Sequence, residues 1–256
     1  MTHRMPFWRR ARLPALLALL GATLGGVAEA APASSKPMVA VLYFDYDGVE
    51  EELFTLRKGF AQMIGADLVS VETIGVVERD RLQELLSELE LQRSRHFDPG
   101  TAVKIGKLLG AQYMVFGLYF QLGGVLQASA RVVDTSTGVN VYALNAMGPP
   151  GDFLTVQQKL SGGMAHFFAT KLPVQPDPKV PAGGKTGAAG KGEGPKQLAR
   201  KPPKRLDTKT AVAYSKALEA IDHKEKATAI KHLQEVLAKE PDFALASDQL
   251  TQVALN

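Results

Sequence analysis

The stretch from Val76 to Gly117 constrains this chain more than any other. It reads VVERDRLQELLSELELQ, breaks at HFDPG, and resumes as TAVKIGKLLGAQYMVFG. Leu82, Leu85, Leu86 and Leu89 fall at i, i+3, i+4 and i+7, one face of a 3.6-residue period, with Gln83, Glu84, Ser87 and Glu88 opposite. The spacing predicts a helix with one buried face. Asp98-Pro99 supplies an N-cap followed by proline at the first helical position, and Gly110 sits where a helix closes at positive φ. From Gln112 to Gln121 both alternating faces are largely apolar, which describes an interior strand. A strand, two helices and a strand follow one another here with no catalytic grouping among them, a pattern suited to binding or assembly.

Three further segments complete a pattern. VAVLYFDY (Val39 to Tyr46), VVERDRLQELLSELEL, GKLLGAQYMVFG and RVVDTSTGVNVYA (Arg131 to Ala143), in that order, resemble the CsgG family, whose relatives include the TolB N-terminal domain, FlgO and LpoB-type lipoproteins. The resemblance covers residues 36–172 and implies an α/β domain of the bacterial envelope that works by protein contacts without catalysis.

Residues 1–30 are expected to be a signal peptide. Arg4, Arg9, Arg10 and Arg12 precede the apolar run Leu13 to Val27, and Ala28-Glu29-Ala30 supplies a small-x-small cleavage pattern. That run is shorter than the roughly 20 residues of a spanning helix, so no membrane span is expected after cleavage. The chain has no cysteine, which excludes disulfides, thiolate metal sites and a lipidated cysteine. A periplasmic protein without a lipid anchor is expected, with contact to the outer membrane or cell wall at most peripheral.

The net charge of +4 is local in origin. Four arginines and Glu29 give the first thirty residues +3, and residues 173–206 carry eight Lys or Arg against Asp177 and Glu193. The remainder is mildly acidic, which argues against a nucleic-acid partner.

Residues 36–172 read as a mixed α/β domain. Val39 to Phe44 is a buried strand. Leu53, Leu56, Phe60, Met63 and Ile64 mark the apolar side of a helix, with Arg57 and Lys58 on its wet side. Val69 to Glu78 returns as a strand. Leu126, Ala128, Ala130 and Val132 alternate with Gln127, Ser129 and Arg131, Asp134 to Gly138 turns the chain, and Val139 to Ala146 runs back antiparallel. Asp152 caps a helix whose Leu154, Val156, Leu160, Met164, Phe167 and Phe168 lie over the sheet. The fold class is therefore α/β, a mixed sheet with helices packed against it, plus a small all-α module.

Residues 173–206 hold seven prolines and six glycines in thirty-four positions and few large apolar side chains, the composition of a disordered linker. A flexible coil of this length spans about 30 Å on average. In residues 207–256, Ala213, Ala217, Ala220, Ala229, Leu233, Val236 and Pro241 follow the small and large positions of one tetratricopeptide unit. Helices are expected over about Asp207 to Ile221, Lys224 to Lys239 and Phe243 to Leu255. Such a unit folds as a three-helix piece or docks on a partner, a second copy or the first domain.

No residue is assigned a catalytic, cofactor-binding or metal-binding role, and no cofactor is expected. Gly184-Lys185-Thr186 lacks the preceding glycine, strand and following helix of a phosphate loop. His96, His166, His223 and His232 have no i, i+4 pairing for a metal. Asp45, Asp47, Glu50, Glu51 and Glu52 crowd a helix start, where the helix dipole favours acidic side chains. Glu78 and Arg79 suit a local ion pair that begins a helix. The expected function is non-enzymatic: an envelope assembly or scaffold protein acting through protein partners, self-association included. The alternative is a subunit or accessory of an outer-membrane secretion channel of the CsgG type.

Overall fold

Among the described residues, alternation and helical period together produce thirteen elements: β1 (Met38–Val41), β2 (Asp45–Tyr46), α1 (Glu51–Leu68), β3 (Gly75–Val76), α2 (Arg79–Glu88), α3 (Pro99–Leu109), β4 (Tyr113–Leu122), β5 (Val125–Asp134), β6 (Asn140–Gly148), α4 (Phe153–Lys171), α5 (Thr208–Asp222), α6 (Lys226–Lys239) and α7 (Ala244–Leu255). The structure, a computed structural model, describes residues 36–91, 98–149, 151–172 and 206–255. All of them belong to one compact unit, Ser34–Asn256. The histidine at position 96, the Gly184-Lys185-Thr186 motif, the expected signal peptide and nearly all of the expected linker lie outside the described residues.

The strands form one mixed sheet in the order β3-β1-β4-β5-β6, with β2 also paired to β4. β1 and β2 run parallel to β4, and β3 parallel to β1, while β4, β5 and β6 form an antiparallel meander. This is the mixed α/β architecture expected from the sequence. The tight turn between β4 and β5 is Gly123-Gly124, both at positive φ (59° and 72°), the backbone a two-residue hairpin demands. At the next hairpin the Asp134 side chain accepts hydrogen bonds from the Ser136 and Thr137 amides, and Gly138 takes φ 72°.

Helices cover both faces. Phe60 of α1 stacks on Tyr119 at 5.5 Å between ring centroids, Phe168 of α4 meets Tyr113, and Phe167 stacks on Tyr142. α3 lies across the other face, where Gly106 lets Met114 and Thr135 approach. Tyr113 and Tyr119 against Met114 is the odd-even alternation of one strand. Asp98, Asp152 and Asp207 each accept from the amide three residues on, at 3.0, 3.2 and 2.6 Å, so three helices begin with the same Asp-x-x-Thr device. Pro99 and Gly110 bound α3 as their residue types require.

Four expectations need correction. The first strand stops at Val41: the chain advances from Val41 to Asp45 while β4 advances only from Val115 to Leu118, so one extra residue is accommodated at Leu42 to Phe44. Leu42, Tyr43 and Phe44 are consecutively buried as a result. The strand expected over Val69 to Glu78 is only Gly75–Val76, because the chain leaves α1 through turns in which Ser70 and Val71 donate to Asp67 and Leu68. Leu89, the end of the leucine face, is exposed since α2 ends at Glu88. Arg57 and Lys58 are buried, because α1 has a second covered side.

Candidate interaction surface

That second side of α1 receives α5. Two small residues set the approach: a Cβ built on Gly59 would lie 2.1 Å from Ser215 Oγ. Ser215 is fully buried and donates its hydroxyl to the Ala211 carbonyl at 2.9 Å, so its polarity is satisfied within α5. Ala211, Tyr214, Ala217 and Leu218 are buried in the same apolar cluster as the α/β core.

A charge cluster closes the junction. Lys58 Nζ lies 2.7 Å from Asp222 Oδ2 and 2.6 Å from Glu219 Oε2. Arg79 Nη1 reaches Asp222 Oδ1 at 2.7 Å, and its Nη2 reaches Asp80 at 3.0 Å. The Lys58, Arg79 and Asp222 side chains are 9%, 8% and 4% exposed, whereas Glu219 is 49% exposed. One carboxylate therefore joins cations from α1 and α2. Lys58 also sits 5.7 Å from the Tyr43 ring centroid, and Tyr43 donates to Gln83. Burial, reinforced by the Asp222 carboxylate, pushes the Tyr43 hydroxyl well above the ordinary tyrosine range. Burial opposes ionisation of Glu219, but the Lys58 hydrogen bond and charge outweigh it and hold Glu219 below the usual carboxylate range. Arg79 Nε is buried with no hydrogen-bond partner and lines a cavity of about 20 Å³ beside Tyr43, Gln62, Val77 and Leu82. That space suits a single water.

The residues considered in the sequence fall elsewhere or take other partners. Asp45 is buried and paired with Arg57 at 3.4 Å; Arg57 also donates to the Phe44 carbonyl and packs over Phe54. Burial lowers Arg57 against the opposing pull of Asp45. Glu50 is the N-cap residue of α1 and accepts from Tyr46, whose own hydroxyl is pushed up to about 12 by burial and that bond. Glu51 and Glu52 occupy the first turn. The acidic cluster is thus spread over an ion pair, a cap and a helix start. Arg79 pairs with Asp222 and Asp80 and not with Glu78, because α5 brings a buried carboxylate to it. His166 is exposed on α4, His223 pairs with Glu219 at 3.0 Å, and His232 lies on α6. Among the described residues no group of three His, Cys, Asp or Glu could hold a metal, and no helix is long and apolar enough to cross a membrane.

Sequence reasoning missed Lys58, Glu219 and Asp222. The signal was the adjacent Arg57-Lys58-Gly59 on a helix and Glu219 with Asp222 one turn apart, a pattern too common to single out without the docking geometry.

The geometry defines a mixed α/β domain with a helical unit fixed on one of its helices. Residues 21–131 match the family model described as Curli production assembly/transport component CsgG. No curated protein matches the chain. Similar solved structures include lipoprotein GNA1162 from Neisseria meningitidis, 14% identical, covering 53% of this chain and 99% of that one, with a TM-score of 0.39. The LpoB C-terminal domain from Salmonella enterica is 14% identical over 48% of this chain and 87% of its own, with a TM-score of 0.36. TolB from Acinetobacter baumannii is 12% identical over 55% of this chain and 30% of its own, with a TM-score of 0.37.

Proposed function

We propose that the chain is a non-enzymatic periplasmic scaffold of the cell envelope, exported by the signal peptide in residues 1–30 and acting through protein contacts. The observation that carries this reading is the match of residues 21–131 to the CsgG family, with the charged side chains of its α/β core committed to joining α5. Lys58, Arg79 and Asp222 are spent on internal structure, so the chemistry on offer to other molecules is that of surfaces. The helical unit α5 to α7, tetratricopeptide-like in its small and large positions, supplies a surface the α/β domain alone lacks, and the linker of residues 173–206 tethers it.

Photocrosslinking from exposed positions of α2, α3, α6 and α7 in cells, followed by mass spectrometry, tests the proposal. Envelope proteins captured from these faces support it. Recovery of the chain alone from every position, or its retention in the cytoplasm, overturns it. The channel alternative draws on the family's transport description. β4 and β5 have ten residues each, long enough for a membrane hairpin, yet their Val115, Tyr119, Leu126, Ala128, Ala130 and Val132 are buried in the core. Those strands are committed to the sheet, which favours the scaffold.

A further inference from the structure

Helices cover the two faces of the sheet unequally. On one face α4 packs on β5 and β6, and α1 on β1 and β2. On the other, α3 packs on β4 and β5, and the strands beyond it are open. There Arg131 stands opposite Ala143, Ser129 opposite Asn145 and Gln127 opposite Met147, in line with Phe116, Leu118 and Phe120 of β4. These share the parity of Met114, which meets α3, so they point to the α3 side. Arg131, Ala143, Asn145 and Met147 are exposed, Met147 by 58%, and Leu118 and Phe120 are half-buried. Two strands about 4.8 Å apart carry a strip ~10 Å wide, the diameter of one helix. From Arg131 to Gln127 the strip is about 16 Å long, the length of three helical turns.

The strip is charged at one end and apolar at the other. Gly106 of α3 turns toward Thr135 at the end of β5, so Val103 and Lys107, on the same flank of that helix, border the strip toward its Arg131 end. Among the described residues no ion pair uses Arg131 or Lys107. The carboxylate nearest by pairing, Asp45 opposite Leu118, is buried against Arg57. Phe120 and Met147 lie at the other end. We propose that this strip seats an acidic amphipathic helix of a partner protein, its carboxylates over Arg131 and Lys107 and its apolar side chains over Phe120 and Met147. The proposal rests on the reading of this chain as one that acts through protein contacts, and gives one such contact its chemistry. Residues 173–206, with eight Lys or Arg against Asp177 and Glu193, would set like charges on Arg131 and Lys107. The acidic α2 of a second copy has its apolar side, Leu82 and Leu86, already buried. A separate partner helix meets neither obstacle.

Arg131 presents a planar guanidinium that takes a carboxylate in two parallel hydrogen bonds, and Lys107 adds a point charge. Both sit at the surface, so they orient the helix and speed its association more than they hold it. A three-turn helix on a strip of this size covers well under the ~800 Å² per partner of a standard stable interface. Binding is therefore weak, and it weakens further as salt screens the two cations.

Photocrosslinking of the full-length chain in its own cells tests this, from a photoreactive residue placed at Met147 on the rim of the strip, with the linked site mapped by mass spectrometry. The expected site is an amphipathic helical segment of another protein that bears Asp or Glu. Arg131→Glu should lower the yield at least tenfold, and Arg131→Lys should keep most of it. Changing the linked helix's carboxylate to Arg should restore the yield against Arg131→Glu. Arg131 is exposed, so these variants keep the fold, which circular dichroism checks. The proposal is overturned by the absence of a link, by links confined to this chain or a second copy of it, or by a linked segment without carboxylates. A yield that Arg131→Glu leaves unchanged overturns it as well. Partners captured from α2, α6 or α7 while Met147 captures none would overturn it and leave the protein-contact reading standing.

Discussion

Replacing Asp222 by alanine should damage this fold more than any other single change among its charged residues. Asp222 bonds both Lys58 and Arg79 at 2.7 Å, and all three side chains are less than a tenth exposed. Removing one member of a buried ion pair typically costs about 3 to 5 kcal/mol, because the partner is left charged and desolvated. Two cations are orphaned here, but each keeps a second partner: Glu219 for Lys58 and Asp80 for Arg79, the latter 64% exposed. Exposed partners return part of the loss, which places the expected cost at about 3 kcal/mol. For a domain of this size that lowers Tm by roughly 6 to 12 °C. Guanidinium unfolding followed by circular dichroism gives the free energy, and hydrogen exchange along α5 shows where it is lost. The control is the triple variant Lys58→Met, Arg79→Met and Asp222→Leu, which removes all three charges together and should stay within about 1 kcal/mol of the unmodified chain. A loss below about 1 kcal/mol for Asp222→Ala, or a triple variant as unstable as the single one, would refute the idea that uncompensated burial drives the effect.

Gly59→Ala drives a methyl into Ser215 and should cost about 1 to 3 kcal/mol, with Ser215→Ala restoring most of it, as chemical denaturation would show. Phe60→Ala removes a fully buried ring in contact with Phe44, Tyr119 and Phe153 and should cost about 3 to 5 kcal/mol in the same assay. The hydroxyls of Tyr43, Tyr46, Tyr113 and Tyr119 are all raised, chiefly by burial. The folded chain thus holds protons that the unfolded chain releases near pH 10, so this stabilisation is complete below about pH 10 and is lost as pH rises through the folded values. Absorbance titration should show the phenolate signal of these four tyrosines delayed beyond about pH 10 and then appearing together with unfolding; their titration near pH 10 in a chain still folded would contradict this. Glu219 works in the opposite direction: its lowered carboxyl contributes above about pH 4.3 and loses that contribution as pH falls through the folded value, so hydrogen exchange at α5 should speed up in acid before it does in β4.

The elements were legible where one residue type dictates one local geometry. Asp98-Pro99 and Gly110 fixed the ends of α3, Asp152 and Asp207 began their helices, and the alternation of Leu126 to Val132 marked one buried face of β5. What could not be read depended on contacts between distant segments. The break at Leu42 to Phe44 arises from pairing with β4, and the two-residue length of β3 from how the chain leaves α1. The junction with α5 was hidden for the same reason: Lys58 and Asp222 are 164 residues apart, and each alone has the look of a solvated side chain. The Gly123-Gly124 turn has its signal in residue type, the positive φ that a two-residue hairpin needs, and not in the alternation of faces.

The burial of Arg57 and Lys58 shows what amphipathic patterning measures. It ranks the sides of a helix by polarity, and the side of α1 bearing Gly59 and two cations ranked as wet. A polar side is still buried when a second helix brings matching groups, and such a contact is worth more for geometry than for stability. Sliding α5 by one turn, about 5.4 Å, would take Asp222 from Lys58 and Arg79 at once and take Ser215 from its place against Gly59. An apolar interface of the same area would tolerate neighbouring registers far better. Because α6 packs on α5 and α7 on α6, fixing the register of one helix fixes the direction in which all three present their outer faces. The charges at the junction thus decide which surface the helical unit offers.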